Sequence, residues 1–219
     1  MNLFVTGTDT GVGKTYVTRL LLDTLRSLGV RATGYKPIAC GDRDDARDLA
    51  AVSACGDIDR INPVHFKTPV APYVAGIIES RTVDKDVLLA GYRSLAAENS
   101  SVIVEGVGGW EVPVSAGYRI SDFARDLGLP VLLVAGNKLG ALNHILLTID
   151  AIRAKGLTCA GIILNQLEDE LDTAMITNKG VIEDLSGVPL LDHLIHGQDF
   201  IDEDVIRSLF PEAAGSTAG

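Results

Sequence analysis

The sequence predicts an α/β fold in which helices flank a doubly wound, mainly parallel sheet. Short apolar runs alternate with longer segments of helical periodicity, which is typical of sheets built from β-α-β units. Several of the runs are apolar on both faces, as strands buried between two layers of helices are. A length of 219 residues suits one domain with a core large enough to be stable alone.

Each element follows from this alternation. Strands are predicted at 3–5, 31–35, 102–105, 131–135, 161–165 and 190–191. Helices are predicted at 14–28, 44–54, 84–98, 121–128, 141–155 and 172–186. Gly29, Gly128 and Gly156 follow three of the helices, where a left-handed C-terminal residue is expected. With no internal repeat and no linker, residues 1–210 are expected to form one domain, and the small, polar tail 211–219 is predicted to be disordered.

Composition excludes several classes of partner. The formal net charge of −10 argues against binding a nucleic-acid backbone, which requires a basic surface. No apolar run approaches the ~18 residues of a membrane span, and no basic segment precedes an apolar one at the N-terminus. Three scattered cysteines predict reduced thiols. We therefore expect a cytoplasmic protein that acts on small molecules and binds neither nucleic acid nor membrane.

The segment between the first predicted strand and helix carries the sharpest motif. It reads Gly7-Thr8-Asp9-Thr10-Gly11-Val12-Gly13-Lys14-Thr15. A loop of this kind cradles the phosphates of a nucleotide with backbone N–H groups and a helix N-terminus. Lys14 is expected to reach the β- and γ-phosphates, and the Thr15 hydroxyl to bind Mg²⁺. The common pattern has glycine at position 8, and the alternative interpretation is a glycine-rich turn with a solvated lysine.

The ends of other predicted strands supply charged partners for this loop, because ligands bind beyond the carboxyl ends of parallel strands. Lys36 precedes proline, which favours an extended backbone, and could place a positive charge beside a transferring phosphoryl group. The acid-rich turn 42–48 could supply a carboxylate to Mg²⁺. Glu105 ends an apolar strand and precedes glycines, where nucleotide hydrolases carry a metal-binding acid. The alternatives are a surface lysine, a solvated helix start and a loop-capping acid.

Two asparagines lie at further strand and helix ends. Asn165 ends the fifth predicted strand, and its amide could pair with an adenine edge, although asparagine is also a common turn residue. Asn143 and His144 lie in the first turn of a helix, where a capping or structural role is the alternative. No nucleophile with an adjacent base stands out. The predicted chemistry is therefore phosphoryl transfer by positioning and charge, with Mg²⁺.

Together these motifs resemble the dethiobiotin synthetase family over most of the chain. The firmest segments are 7–15, 34–37, 104–109 and 138–144, and the family's loop carries the same departure at Thr8. The resemblance implies that ATP and Mg²⁺ drive closure of a cyclic urea. In that reaction 7,8-diaminononanoate and CO2 form a carbamate, the carbamate takes the γ-phosphoryl group, and the second amine closes the ring to give dethiobiotin, ADP and phosphate.

The resemblance also implies a role for each motif residue. Lys36, Lys14 and Thr10 would act in catalysis. The Mg²⁺ ligands would be Thr15, Glu105 and Asp45, with Asp44 and Asp48 as alternatives to Asp45. The ATP site would comprise Gly11, Val12, Gly13, Lys14, Thr15, Tyr16, Asp45, Glu105, Gly106, Val107, Gly108 and Asn165. Cys40 and Asn143 would contact the substrate, and the family's homodimer places the substrate site at the subunit interface.

Departures from the family and competing functions remain open at this point. Cys40 replaces a frequent serine or threonine, Gln166 replaces a frequent aspartate, and 190–196 lacks a proline often found near adenine, so nucleotide preference is unsettled. A partitioning or Min-type ATPase would carry a second lysine where this chain has Asp9. The synthetase half of a cobyrinate-type amidotransferase would need a glutaminase domain. The non-enzymatic alternative is an ATP-binding regulatory module.

Overall fold

A parallel sheet forms the centre of the molecule. The computed structural model describes residues 1–210, so the tail 211–219 lies outside the described residues. The strands in chain order are β1 (Leu3–Gly7), β2 (Ala32–Tyr35), β3 (Ile38–Cys40), β4 (Val64–Phe66), β5 (Ser101–Gly109), β6 (Pro113–Ser115), β7 (Tyr118–Arg119), β8 (Val131–Gly136), β9 (Cys159–Asn165) and β10 (Leu190–Leu194). Six of them form one sheet in the order β10-β9-β8-β1-β5-β2, with every neighbouring pair parallel. The predicted α/β fold is confirmed.

Helices connect the strands and cover both faces of this sheet. They are α1 (Lys14–Ser27), α2 (Asp44–Val52), α3 (Ile58–Ile61), α4 (Pro72–Ile78), α5 (Lys85–Glu98), α6 (Ile120–Leu127), α7 (Ala141–Ala154), α8 (Thr173–Leu185) and α9 (Glu203–Leu209). All six predicted helices are confirmed. Gly29, Gly128 and Gly156 have φ of 76°, 66° and 73°, the left-handed conformation expected after three of them.

The elements that sequence analysis missed are short. They are β3, β4, β6, β7, α3, α4 and α9. Strands of two or three residues, one helix of four and two of seven are too short to repeat either hydrophobic pattern clearly. Two of the missed strands, β3 and β4, form a separate parallel pair beside the main sheet, and β6 and β7 form an antiparallel pair. These small pairs lie on the segments that follow β2 and β5, and so they help to shape the carboxyl edge of the sheet.

The core has two layers, one on each face of the sheet. Alternation along β1 shows this: Phe4 packs on one face, with edge contacts to the rings of Trp110 and Phe123, whereas Leu3 and Val5 pack on the other. Burial on both faces explains why the central strands read as continuous apolar runs. Among residues 1–210, no helix is both long and apolar enough to cross a membrane.

Candidate active site

The loop between β1 and α1 has the backbone of a phosphate cradle. Gly11 and Gly13 have φ of 74° and 90°, a region that side chains strain, and a Cβ on Gly13 would overlap the amide of Asn165. Gly13 is the N-cap of α1 and has no side chain to cap it. The first N–H groups of α1 are therefore available to an anion, which is the usual basis of phosphate binding at helix N-termini.

Lys14 lies under this loop with its charge poorly compensated. The side chain is buried, and its Nζ donates to the carbonyl oxygen of Asp9 at 3.0 Å. Burial, and after it the positive charge of Lys36, lower the pKa of Lys14 to about 8. A buried ammonium group in this state gains stability from an added negative charge. The cradle thus has the electrostatics of a site for an anionic ligand.

An ion-pair cluster adjoins the cradle: Lys36 directly follows β2, Glu105 lies within β5, and the more exposed Asp45 lies in the first turn of α2. The Lys36 Nζ lies 2.5 Å from Glu105 Oε1 and 2.8 Å from Asp45 Oδ2. Lys36 and Glu105 are 3% and 0% exposed. Burial opposes the charge of Lys36, but the carboxylates of Glu105 and Asp45 outweigh it and raise the pKa of Lys36. Burial likewise raises the pKa of Asp45, but Lys36 outweighs it and the net shift is downward. Lys36 and Asp45 therefore stay ionised at neutral pH.

The same cluster offers oxygen ligands suited to Mg²⁺. Glu105 Oε1 accepts a hydrogen bond from Thr15 Oγ1 at 2.7 Å, and the buried Oε2 has no hydrogen-bond partner among the described residues. An orphaned, fully buried carboxylate oxygen is costly unless a cation or donor meets it. Carboxylate and hydroxyl oxygens are ligands that Mg²⁺ prefers, usually together with phosphate oxygens. The residues present therefore fit a Mg²⁺ ion.

The structure separates the three candidate aspartates of the acid-rich turn. Asp45 reaches Lys36 and lines the cavity above the phosphate loop. Asp44 forms an ion pair with Arg47 on the exposed side of α2. Asp48 is also exposed. Of the three, Asp45 is the one that the fold brings to the cluster, as its position in the sequence motif suggested.

Two adjoining cavities open from the cluster. One, of about 310 Å³, is lined by Thr10, Gly11, Gly13, Lys14, Thr15, Tyr16, Lys36, Ala39, Cys40, Asp42, Asp45, Val107 and Gly108. The second, of about 370 Å³, shares Thr10, Cys40, Val107 and Gly108 with the first. It continues over an apolar wall made by Pro69, Val70, Ala71, Pro72 and Val112. A charged cavity thus leads into an apolar one, a combination suited to a substrate with a polar end and an alkyl chain.

Cys40, which the resemblance places near the substrate, lines both cavities at their junction. Burial, and after it the charge of Glu79, raise the pKa of Cys40 to about 11. The thiol is therefore neutral at physiological pH and a weak nucleophile. Sequence analysis missed the apolar wall that follows it, residues 69–72 with Val112, because a short loop and a strand-end valine carry no motif.

Buried amide side chains lie at the ends of β8 and β9. Asn165 Nδ2 donates to the carbonyl oxygen of Val12 at 3.0 Å, so this side chain braces the phosphate loop. Asn137 bonds to His193 and to the Met175 carbonyl, and Asn178 donates to Asn137 Oδ1 at 2.9 Å. We call Asn137, Asn178 and His193 the amide network. Sequence analysis missed it because its members lie far apart along the chain.

Three further predicted site residues, Tyr16, Asn143 and Gly106, lie in different surroundings. Tyr16 lines the first cavity, and its hydroxyl donates to the carbonyl oxygen of Gln198, which ties the loop after β10 to α1. Asn143 lies in the first turn of α7 as predicted, but it is exposed and lines neither cavity of the single chain. Gly106 packs inside β5, where a Cβ would lie 3.2 Å from a methyl group of Ile120.

The sequence is similar to a family model and to curated proteins over most of its length. A family model described as an AAA domain matches residues 1–198. An ATP-dependent dethiobiotin synthetase of Akkermansia muciniphila is 52% identical over 206 residues, which cover 94% of this chain and 97% of that protein. A second, from an Anaeromyxobacter species, is 40% identical and covers 91% of this chain and 92% of its own length.

Solved structures share the fold at low sequence identity. The septum site-determining protein MinD of Pyrococcus horikoshii superposes with a TM-score of 0.58 at 18% identity, covering 95% of this chain and 87% of that one. A ParA family ATPase of Chlorobium tepidum gives a TM-score of 0.53 at 14% identity, covering 95% and 89%. These structural likenesses establish the P-loop α/β fold. The family is shown by the dethiobiotin synthetases, whose sequences are 52% and 40% identical to this chain. The chain belongs to the family of ATP-dependent dethiobiotin synthetases.

Proposed function

We propose that this chain converts 7,8-diaminononanoate, CO2 and ATP into dethiobiotin, ADP and phosphate, a ring-closing step of biotin biosynthesis. The observation that carries this proposal is the position of Lys36. Its ammonium group lies at the mouth of the phosphate loop, paired with Glu105 and Asp45, and faces a cavity that continues over an apolar wall. A simple nucleotide hydrolase would not require an alkyl-sized cavity beside its phosphate site.

The reaction needs little covalent chemistry from the protein. One substrate amine attacks CO2 and loses a proton to form a carbamate. A carbamate oxygen then attacks the γ-phosphorus while the bond to ADP breaks, giving a carbamic-phosphoric anhydride. The second amine attacks the carbamate carbon, loses its proton, and phosphate leaves. Because charge moves between oxygens at each step, positioned cations are the main catalytic requirement.

We assign these cationic roles to the two buried lysines. Lys36 would stabilise the carbamate and the transferring phosphoryl group, and Lys14 the β- and γ-phosphates. Thr10 borders both cavities and would orient the reacting groups between them. Cys40 would contact the substrate at the same junction. Its neutral thiol would act as a packing surface rather than a nucleophile.

Nucleotide and metal would occupy the cradle and the adjoining carboxylates. Thr15, Asp45 and Glu105 would hold Mg²⁺, which when bound supplies positive charge to the β- and γ-phosphates. The segment from Gly11 to Tyr16 would bind the phosphates, with Gly106, Val107 and Gly108 beside them. Asn165 would have its Oδ1 free to accept from the adenine amino group, because its Nδ2 donates to Val12.

We further propose that the enzyme is a cytoplasmic homodimer formed by one domain per chain. Asn143 would contact the substrate of the partner subunit, since it lies on an exposed helix turn outside the cavities of its own chain. Leu139, just before α7, and Leu147, one turn beyond Asn143, are 81% and 62% exposed, which favours a partner surface there. Sedimentation equilibrium of the purified protein tests this point, with a monomer as the contradicting result.

The deciding experiment is incubation with ATP, Mg²⁺, bicarbonate and 7,8-diaminononanoate, followed by mass detection of dethiobiotin. The expected result is product only when all four are present, with one ADP per dethiobiotin. The competing function is a MinD- or ParA-like ATPase, which shares the fold. Asp9 in place of that class's second lysine argues against it. Rapid ATP hydrolysis that is independent of the diamine and of bicarbonate would overturn the synthetase proposal.

A further inference from the structure

We propose that Arg43 and Asn62 are positioning residues that fix the backbones of Lys36 and Asp45 relative to each other. This inference rests on the proposed function, because it concerns how the catalytic lysine and a metal-binding carboxylate are kept together. We call the two residues, with the end of α3 that they grip, the α3 clamp. Neither residue lines the cavities described above.

The need for a clamp arises from the place of β2 in the sheet. This strand is at the edge, so the chain around Lys36 has β5 on one side and no strand on the other. The open side is taken by the end of α3. The Lys36 N–H donates to the carbonyl oxygen of Ile61 at 3.0 Å. Asn62 Nδ2 donates to the carbonyl oxygen of Lys36 at 2.8 Å. Both main-chain groups of Lys36 are therefore fixed by two adjacent residues.

Arg43 ties the start of α2 to the same place. Its Nε donates to Asn62 Oδ1 at 3.0 Å, and its Nη2 lies 3.0 Å from the Asn62 carbonyl oxygen and 3.2 Å from that of Ile58. Nη2 also lies 3.0 Å from Asp59 Oδ1. A guanidinium group suits the carboxyl end of a helix, where carbonyl oxygens lack partners. Arg43 is the N-cap residue of α2 and precedes Asp45 by two positions.

Asn62 connects the main chain of Lys36 to the side chain of Arg43. It is 2% exposed, and its amide group bonds to three partners: the carbonyl oxygens of Lys36 and Val64 and the guanidinium of Arg43. Lys36 and Asp45 meet at the opposite end, through the 2.8 Å contact of their side chains. The backbones of these two residues are thus bound to one anchor, and their side chains converge on the site.

A misplacement of about 1 Å at a reacting group can cost roughly 100-fold in rate. We therefore expect Arg43→Ala and Asn62→Ala to lower kcat by between about 10- and 100-fold. The KM for ATP should change less than kcat, because Asp45 is the only proposed ATP-site residue held by the clamp and the side chains of Arg43 and Asn62 make no hydrogen bond to the phosphate loop among the described residues. Arg43→Lys, which keeps the charge but has a single donor group, should recover part of the lost rate.

The chain offers a matched control on the same helix. Arg60 lies on α3 and makes three comparable hydrogen bonds, to both carboxylate oxygens of Glu98 and to Ser94, none of them to Arg43, Asn62 or Lys36. Arg60→Ala removes a similar number of contacts without touching the clamp. A merely structural role for Arg43 predicts that the two alanine variants behave alike.

The experiment measures kcat, the KM for ATP, the melting temperature and hydrogen–deuterium exchange of the segment 34–45 for each variant without ligand. The expected result is faster exchange and lower kcat in Arg43→Ala and Asn62→Ala, with neither change in Arg60→Ala. Equal rate losses in Arg43→Ala and Arg60→Ala, or an unchanged kcat in Arg43→Ala, would overturn the proposal. If Asn62→Ala does not fold, the two Arg43 variants decide. If the wild-type protein makes no dethiobiotin, the proposed function fails, and the exchange data still test the clamp separately.

Discussion

The carboxyl edge of the sheet has two halves with different chemistry, which we call the charged half and the amide half. On the side of β1, β2 and β5, Lys14 at the start of α1, Lys36 after β2 and Glu105 within β5 are buried and charged. At the ends of β8 and β9, Asn137 and Asn165 are equally buried but neutral, and each is hydrogen-bonded. Buried charge is expensive, whereas a satisfied amide is not. The costly groups are thus concentrated where phosphoryl transfer is proposed, and neutral groups fix the surrounding backbone.

The largest expected effect comes from removing one charge from the charged half. Glu105→Gln keeps the shape of the side chain but loses the anion that pairs with Lys36 and the proposed metal ligand. We expect kcat to fall by about 100- to 1,000-fold, the usual scale for one preorganised electrostatic contact. Initial rates of dethiobiotin formation measure this, with Asn178→Gln in the amide half as the comparison. A Glu105→Gln enzyme within tenfold of wild type would contradict the division between the halves.

Substitutions of Lys36 and Glu105 should affect the stability of the protein and its activity in different ways. Lys36→Met leaves Glu105 buried without its partner, and we expect it to lower the free energy of unfolding by about 3–5 kcal/mol. The double variant Lys36→Met/Glu105→Gln should recover most of that stability while remaining inactive, because a neutral pair avoids the cost of an unpaired buried charge. Urea unfolding followed by circular dichroism gives the three values. A double variant no more stable than Lys36→Met would show that lost packing of the Lys36 side chain, and not the unpaired charge of Glu105, causes the instability.

The sequence predicted the charged half well because its chemistry is tied to short motifs. Lys14 and Thr15 follow a glycine loop, and Lys36 and Glu105 follow apolar strands, so each position could be inferred from local pattern and the rule that ligands bind at strand ends. The structure adds the distances and shows that Asp45, not Asp44 or Asp48, reaches Lys36.

The amide half and the clamp were not predictable in this way. Asn137, Asn178 and His193 meet only because β8, α8 and β10 pack together, and Arg43 meets Asn62 through a four-residue helix that has no periodic pattern of its own. Asparagine and arginine are common in loops and on surfaces, so their identity alone indicates no contact. Tertiary packing assigns their roles, which a linear pattern does not encode.

Asn165 joins the two halves, and its loss should have an intermediate effect. Asn165→Ala removes the hydrogen bond to the Val12 carbonyl oxygen and leaves a buried acceptor in the phosphate loop. An unsatisfied buried group costs about 1–3 kcal/mol, so we expect the KM for ATP to rise about tenfold with a smaller change in kcat. Steady-state kinetics measure both constants. A change confined to kcat would place Asn165 in the chemical step instead.

The pH dependence of ATP binding should report on Lys14. Its pKa in the free protein is about 8, and bound phosphates must raise that value because they favour the charged form. The affinity for ATP is therefore highest below pH 8 and falls as the pH rises above it, and ATP binding is accompanied by proton uptake. We expect a several-fold weaker affinity at pH 9 than at pH 7, measured by isothermal titration calorimetry. Lys14→Arg keeps its charge across this range, so the same decline in that variant would contradict the assignment.

The smallest effect on activity is expected in the amide half. Asn178→Ala loses the bonds to Asn137 Oδ1 and to the Lys138 carbonyl oxygen. Because Asn178 is buried, we expect a stability loss of about 1–3 kcal/mol, with kcat within about twofold of wild type since no charge near the phosphates changes. Thermal unfolding and initial rates on the same preparation check both parts. A large fall in kcat without a stability change would give this half a catalytic role.

The most direct test of the central claim follows one oxygen atom. If the charged half transfers the γ-phosphoryl group to a carbamate, the bridging oxygen comes from CO2 and leaves with phosphate when the ring closes. A single turnover with C¹⁸O2, quenched before the label exchanges with water, should therefore give phosphate that carries one ¹⁸O atom from CO2, measured by mass spectrometry. Phosphate without label, in a reaction that still forms dethiobiotin, would contradict transfer to the carbamate.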